Sequence, residues 1–183
     1  MSDVVIRAAS AADLRFLEDM LVEAANAPDR KGRGRVETLA DPAVACYVES
    51  WPRATDLGVV AVEEPDRPIG AAWLRLFDDA ERAYGFVRPD IPELAIGVVA
   101  DQRGRGVGRA LLRACASEAR DRGFEHISLS VGRTNPAAAL YRTEGYQVVK
   151  SRENADTMVL GLLAPRHTAA PRTGRPDVVS RLE

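Results

Sequence analysis

Residues Arg103 to Gly108 read R-G-R-G-V-G and run directly into R-A-L-L-R-A-C-A. Glycines at alternate positions remove the Cβ atoms that would hold a ligand away from the main chain. A loop that enters a helix leaves several N–H groups without acceptors, and the helix dipole adds partial positive charge at the same place. Arg103, Arg105 and Arg109 supply formal charge around it. The combination is an anion cradle, and phosphate is its usual occupant. Two common phosphate loops are excluded. A P-loop closes on Gly-Lys-Ser/Thr, whereas Arg109-Ala110 follows Gly108. The pattern G-x-G-x-x-G fails too, because counting from Gly104 ends on Arg109 and counting from Gly106 ends on Leu111. What fits is R/Q-x-x-G-x-G/A, filled by Arg103, Gly106 and Gly108.

Such a loop needs a strand before it and a helix after it. Residues 93–100 are mostly apolar and predict a strand covered on both faces. Beyond the loop, Val107, Leu111, Cys115 and Ala119 form one helical stripe, and Gly123 suits that helix's end. Residues 126–131 predict a further strand. Asn135 caps a short helix that carries Pro136 in its first turn and closes at Gly145. Residues 146–149 and 157–163 read as a closing strand pair.

Upstream, residues 4–8 predict an edge strand. Ser10 and Asp13 then open a helix that Leu14, Leu17, Leu21 and Ala25 continue. Residues 28–35 read as a loop. Asp41-Pro42 reads as another helix start, with Val44 and Val48 on one face. Residues 57–63 and 69–77 flank a turn at 65–68 and predict a hairpin. Residues 78–92 are irregular and mix Asp78, Asp79 and Glu81 with Tyr84 and Phe86. The order is strand, two helices, hairpin, strand, helix, strand, helix, hairpin. It predicts an α/β fold, a mixed central sheet of about seven strands with helices on both faces.

The chain has 183 residues, 46% hydrophobic and 28% charged, with a net charge of -2. That suits one globular domain and argues against a nucleic-acid partner, which would show a basic excess. Cys46 and Cys115 form neither a disulfide framework nor a metal-ligand cluster, so no metal is expected. Cys115 belongs to the apolar stripe and reads as core. His126 and His167 lack a paired acid and read as structural. The N-terminus lacks the apolar run of a signal peptide, and no stretch reaches the roughly 18 apolar residues of a membrane span. The expectation is a cytoplasmic protein with no membrane partner. From residue 164 the chain is rich in Pro, Arg and Thr. One domain over residues 1–163 and a mobile tail over 164–183 are therefore expected.

Residues 93–149 resemble the signature region of the GNAT N-acetyltransferases. The matching stretches are E-L-A-I-G-V-V-A-D-Q-R-G-R-G-V-G-R-A-L-L and N-P-A-A-A-L-Y-R-T-E-G-Y. The second resembles the family's N-x-x-A-x-x-L-Y-x-x-x-G-[FY] through Asn135, Ala138, Leu140, Tyr141, Gly145 and Tyr146 in that order, with one residue fewer between Asn135 and Tyr141 than the family pattern has. The resemblance implies acetyl-coenzyme A as donor. Its pyrophosphate would lie on the amides of Arg103, Gly104, Arg105, Gly106, Val107 and Gly108, with Arg109 beside them. Its pantetheine arm would pair like an added strand with Val98, Val99 and Ala100, where two parallel neighbours splay. A main-chain N–H near Val98 would polarise the thioester carbonyl.

The resemblance also makes Tyr141 a coenzyme contact and the general acid for the leaving thiolate. A phenol's ordinary pKa near 10 suits that task. Against this stands an aromatic that merely packs on the core. Glu93 matches the family's base, acting directly or through water; the bland alternative is a strand-end carboxylate facing solvent. Asn135 would touch the coenzyme arm as well as cap its helix. The expected acceptor is a primary amine of a small molecule, a peptide N-terminus or a lysine, and homodimers are common among such proteins. A non-catalytic acetyl-CoA sensor on the same fold is the alternative.

Overall fold

The computed structural model describes residues 4–26 and 32–162. In chain order these form β1 (Val4–Ala8), α1 (Leu14–Ala25), α2 (Arg35–Leu39), α3 (Pro42–Ala45), β2 (Leu57–Glu63), β3 (Arg67–Arg75) and β4 (Glu93–Val98). Then follow α4 (Val107–Asp121), β5 (His126–Gly132), α5 (Ala137–Thr143), β6 (Gln147–Ser151) and β7 (Ala155–Gly161). The strands make one seven-stranded sheet in the order β1-β2-β3-β4-β5-β7-β6. Every neighbouring pair is antiparallel except β4 with β5. This is the mixed sheet that the element order predicts.

Side-chain alternation explains why the central strands are apolar almost throughout. Ala72 and Leu74 of β3 enter the core beneath α4, while Ala71 and Trp73 enter the core beneath α1 and α3. Successive residues thus serve opposite faces, and both faces are covered. The α4 core takes Val107, Leu111, Cys115 and Ala119, the stripe seen in sequence. The α1 core takes Leu17, Met20 and Leu21, with Val44 and Val48 from the next segment. Gly97 marks how closely α1 lies on β4: a Cβ there would stand 2.3 Å from the Met20 carbonyl oxygen.

Ser10 and Asp13 open the first helical segment as expected. The Asp13 carboxylate accepts from the Ser10 N–H at 2.7 Å and from the Arg7 guanidinium at 2.7 Å. The Arg7 bond is the largest cause holding Asp13 down at about 2. At the other end of the fold, Gly123 (φ 85°) and Gly145 (φ 94°) follow α4 and α5 in the left-handed region.

Several strand boundaries differ from the sequence reading; in the closing pair β6 is Gln147–Ser151 instead of 146–149 and β7 is Ala155–Gly161 instead of 157–163. β4 ends at Val98 instead of residue 100, because the chain turns there: the Gln102 N–H bonds to the Val99 carbonyl at 3.0 Å. The hairpin's second strand spans Arg67–Arg75 instead of 69–77. Helix α2 was not anticipated. Its Val36 is 84% exposed and only Thr38 is buried, so it carries no apolar stripe for periodicity to find. The expected tail from residue 164, the domain boundary at 163 and His167 lie outside the described residues.

Candidate active site

Among the described residues β4 and β5 share a single register pair, Glu93↔Ser128. Beyond it the two parallel strands part. The Val99 N–H bonds to the Ile69 carbonyl at 3.0 Å, on the β3 side. By alternation, the main-chain groups of Ile96 and Val98 turn the other way, into the gap beside β5. Of Val98, Val99 and Ala100, then, Val98 turns its N–H to the gap. Val99 is committed to β3, and Ala100 begins a short 3-10 turn.

The gap leads toward the glycine loop. Gly104 (φ 74°) and Gly106 (φ 88°) hold conformations that side chains disfavour, and a Cβ built on either meets no atom within 4 Å. These glycines serve backbone shape and open space, not packing. The Ala110 N–H reaches the Gly106 carbonyl at 3.0 Å. The N–H groups of Val107, Gly108 and Arg109 therefore precede the first intrahelical bond of a 15-residue helix. The arginines contribute less free charge than their number suggests. Arg103 pairs with Glu23 and also donates to the Val98 carbonyl at 3.1 Å. Arg109 pairs with Glu144 at 2.8 Å. Arg105 bonds to neutral Gln102 at 2.8 Å and so keeps its charge.

Glu93 lies at the closed end of the gap and is 2% exposed, which removes the solvent-facing alternative. Its Oε1 accepts from the Tyr47 hydroxyl and from the Gly85 N–H, the latter at 2.7 Å. Its Oε2 is buried and has no hydrogen-bond partner. Burial is the largest influence and pushes the carboxyl up to about 7, against the opposing bonds from Tyr47 and Gly85. The same burial lifts Tyr47 well above the ordinary phenol value.

Tyr47 and Gly85 escaped the sequence reading, yet each is held firmly. The Trp73 indole donates to the Tyr47 carbonyl at 2.9 Å. Arg75, fully buried, donates to the carbonyls of Cys46 and Glu49 at 2.6 and 2.8 Å and pairs with both Asp56 oxygens at 3.1 and 2.5 Å. Trp73 and Arg75, two residues apart on the same buried face of β3, thus pin the segment that carries Tyr47. At Gly85 a Cβ would stand 2.6 Å from the Leu129 carbonyl carbon and 2.7 Å from the Ser130 nitrogen. Only glycine lets this loop press its backbone on β5 and reach Glu93. Residues 78–92 gave one usable signal, a glycine between two aromatics. Tyr47 gave none, being an aromatic in an apolar run.

Tyr141 is buried on the α4 side, its ring 5.8 Å from that of Tyr146. Burial pushes its phenol up to about 12, so it stays protonated at neutral pH. It therefore flanks the sheet on the face opposite Tyr47. Asn135 caps α5 as predicted: its Oδ1 accepts from the Ala137 N–H at 2.9 Å. Burial raises both thiols, Cys46 to about 11 and Cys115 further, which fits core residues and not nucleophiles. The acidic groups of the long loop are spoken for locally, Glu81 by Arg53 at 2.9 Å and Asp79 by Arg82. A surface cleft of about 470 Å³ beside them is walled by Pro42, Cys46 and Glu81 among others. Neither Glu93 nor Tyr141 lines it. No group of metal-ligating side chains occurs among the described residues, and no helix there is long and apolar enough to cross a membrane.

Comparison with known proteins gives a consistent picture. The sequence model of the Acetyltransferase (GNAT) family matches residues 19–146. A mycothiol acetyltransferase from Cellulomonas flavigena is 29% identical over 132 residues, covering 71% of this chain and 36% of the relative. Another from Saccharomonospora viridis is 34% identical over 104 residues, covering 56% and 33%. The chain thus spans about a third of the length of these curated relatives. Among solved structures, the fold matches a phosphinothricin acetyltransferase from Sinorhizobium meliloti in complex with AcCoA. There the TM-score is 0.63 at 22% identity, covering 94% of this chain and 98% of that one. The ribosomal-protein-S18-alanine N-acetyltransferase from Escherichia coli matches with a TM-score of 0.61 at 22% identity, covering 90% and 98%.

Proposed function

Because the chain belongs to the GNAT acetyltransferase family, we propose that it moves an acetyl group from acetyl-CoA to a primary amine by direct attack in a ternary complex. One observation carries this reading: the gap between β4 and β5 joins an anion cradle at one end to a buried carboxylate at the other. The cradle fits a diphosphate. Its glycines leave open space, and unpaired amides gather where α4 begins. The amides from Gly104 to Gly108 bind the pyrophosphate, the Arg103 N–H being held by the Ala100 carbonyl at 3.4 Å, and Arg105 contributes charge. Val98 offers its N–H to the pantetheine arm and the thioester carbonyl, and Asn135 approaches the same arm from α5. Bound acetyl-CoA supplies the activated acyl thioester.

The remaining steps belong to side chains of this chain. Glu93 accepts a proton from the acceptor's ammonium, which turns the nitrogen into a nucleophile. Tyr141 holds a proton at its hydroxyl and hands it to the sulfur as the C–S bond breaks. It is then reprotonated from the second N–H that the acceptor gives up on forming its amide. The acceptor class is a primary amine on a small molecule, a peptide N-terminus or a lysine. Mycothiol-related amines join the trial panel because of the name the matched relatives carry.

The test is release of free CoA thiol across that panel, with acetyl-CoA affinity measured alongside. Turnover with at least one amine is expected. Tyr141→Phe is expected to lower kcat by about 100-fold while leaving coenzyme affinity within about twofold. Tight binding without turnover on any amine would overturn the enzymatic reading in favour of a sensor.

A further inference from the structure

We infer that Tyr47 is a positioning residue of the transfer reaction, which together with the Gly85 amide fixes Glu93 so that Oε2 alone exchanges the proton. This rests on the acetyltransferase reading above and names an atom within it.

The Tyr84 N–H donates to the Tyr47 hydroxyl at 3.2 Å, so one lone pair of that oxygen is engaged. The hydroxyl's own proton goes to Glu93 Oε1, which also accepts from the Gly85 N–H at 2.7 Å. An oxygen receiving two hydrogen bonds is a poor place for an added proton. Oε2 is buried and unpartnered, and a lone buried acceptor of this kind is costly unless a donor arrives. A protonated amine, or a water that relays its proton, is such a donor. The proton therefore moves from nitrogen to Oε2, and the carboxylate becomes a carboxylic acid whose O–H lies on the side away from Tyr47.

The surroundings of Glu93 leave Tyr47 as the adjustable influence. From the turn after α3 come Tyr47 and the thiol of Cys46. From β3 comes Arg75, whose guanidinium is committed to Asp56 and to carbonyls. From β5 comes the neutral hydroxyl of Ser128, beside Glu93 in the register. From beyond β6 comes Arg152, which favours the ionised form weakly. Tyr47 itself cannot drift, since Trp73 and Arg75 hold its segment and Phe77 meets its ring edge-on at 5.4 Å.

Tyr47→Phe removes the donor and keeps the ring. Losing a hydrogen bond to the charged form disfavours that form, so the Glu93 midpoint must rise. The measurement is the titration of the Glu93 side-chain carboxyl by 13C NMR in the full chain, paired with the pH dependence of kcat/KM. In the wild type both are expected to show a midpoint near 7. In Tyr47→Phe both should move up by about one pH unit, with coenzyme affinity unchanged. A tyrosine that only filled space would be replaced by phenylalanine without moving the midpoint. An active wild type whose Tyr47→Phe midpoint stays in place overturns this inference alone. A wild type that acetylates no amine overturns the parent reading, and this inference with it.

Discussion

Glu93 concentrates the proposed chemistry in one side chain. Desolvation keeps its proton to about 7, where an ordinary carboxyl would have released it, and this has a consequence for stability as well as for catalysis. The folded state holds a proton between about pH 4.5 and 7 that the unfolded chain has already lost. The group's stabilising contribution is therefore complete below the unfolded value and is lost as pH rises through the folded one. Glu93→Gln lacks this dependence. Denaturant titrations are expected to show wild-type stability falling relative to the variant by on the order of 3 kcal/mol between pH 4.5 and pH 9. A difference independent of pH would show that Glu93 does not carry a raised pKa. The role proposed for Glu93 was suggested only by family resemblance, because nothing about a glutamate at a strand start announces that it will be 2% exposed. That fact comes from Tyr47, 46 residues away along the chain, and from the loop around Gly85, eight residues before it.

The glycine loop and the two strands beside it form the element proposed to hold the coenzyme. Here sequence and structure agree closely, because the relevant physics is local. Positive-φ glycines and an unsatisfied helix start are written in consecutive residues. The same holds for α4, whose stripe of four residues is buried as its spacing predicts. Two details are not local and were missed. The pairing of Arg103 with Glu23 and of Arg109 with Glu144 comes from α1 and from the end of α5. The commitment of the Val99 N–H to β3 depends on register. Gly106→Val tests the element. The new side chain enters open space at a φ of 88°, so it strains the loop and fills the cradle without colliding with the core. Acetyl-CoA affinity is expected to fall at least tenfold while the far-ultraviolet circular dichroism spectrum stays that of the wild type. Unchanged affinity would place the anion site elsewhere.

At the scale of the whole molecule the fold works by dividing labour between two faces of one sheet. The α4 face carries the glycine loop and Tyr141; the α1 face carries Glu93 and Tyr47. The parting of β4 and β5 is where the two faces communicate, and it exists because parallel strands meet at one register pair inside an otherwise antiparallel sheet. The hairpins and the apolar runs were readable from the chain, but the order of strands in the sheet, with β7 between β5 and β6, was not. Nor were helix α2 and the clamp on Tyr47 by Trp73 and Arg75, since they follow from tertiary packing alone. The central claim is that amides gathered where β4 hands over to α4 hold the diphosphate of an acyl carrier. Isothermal titration calorimetry of acetyl-CoA into the full chain measures it directly. The account predicts saturable binding at one site, competed by free CoA; heat that never saturates for either ligand would contradict it.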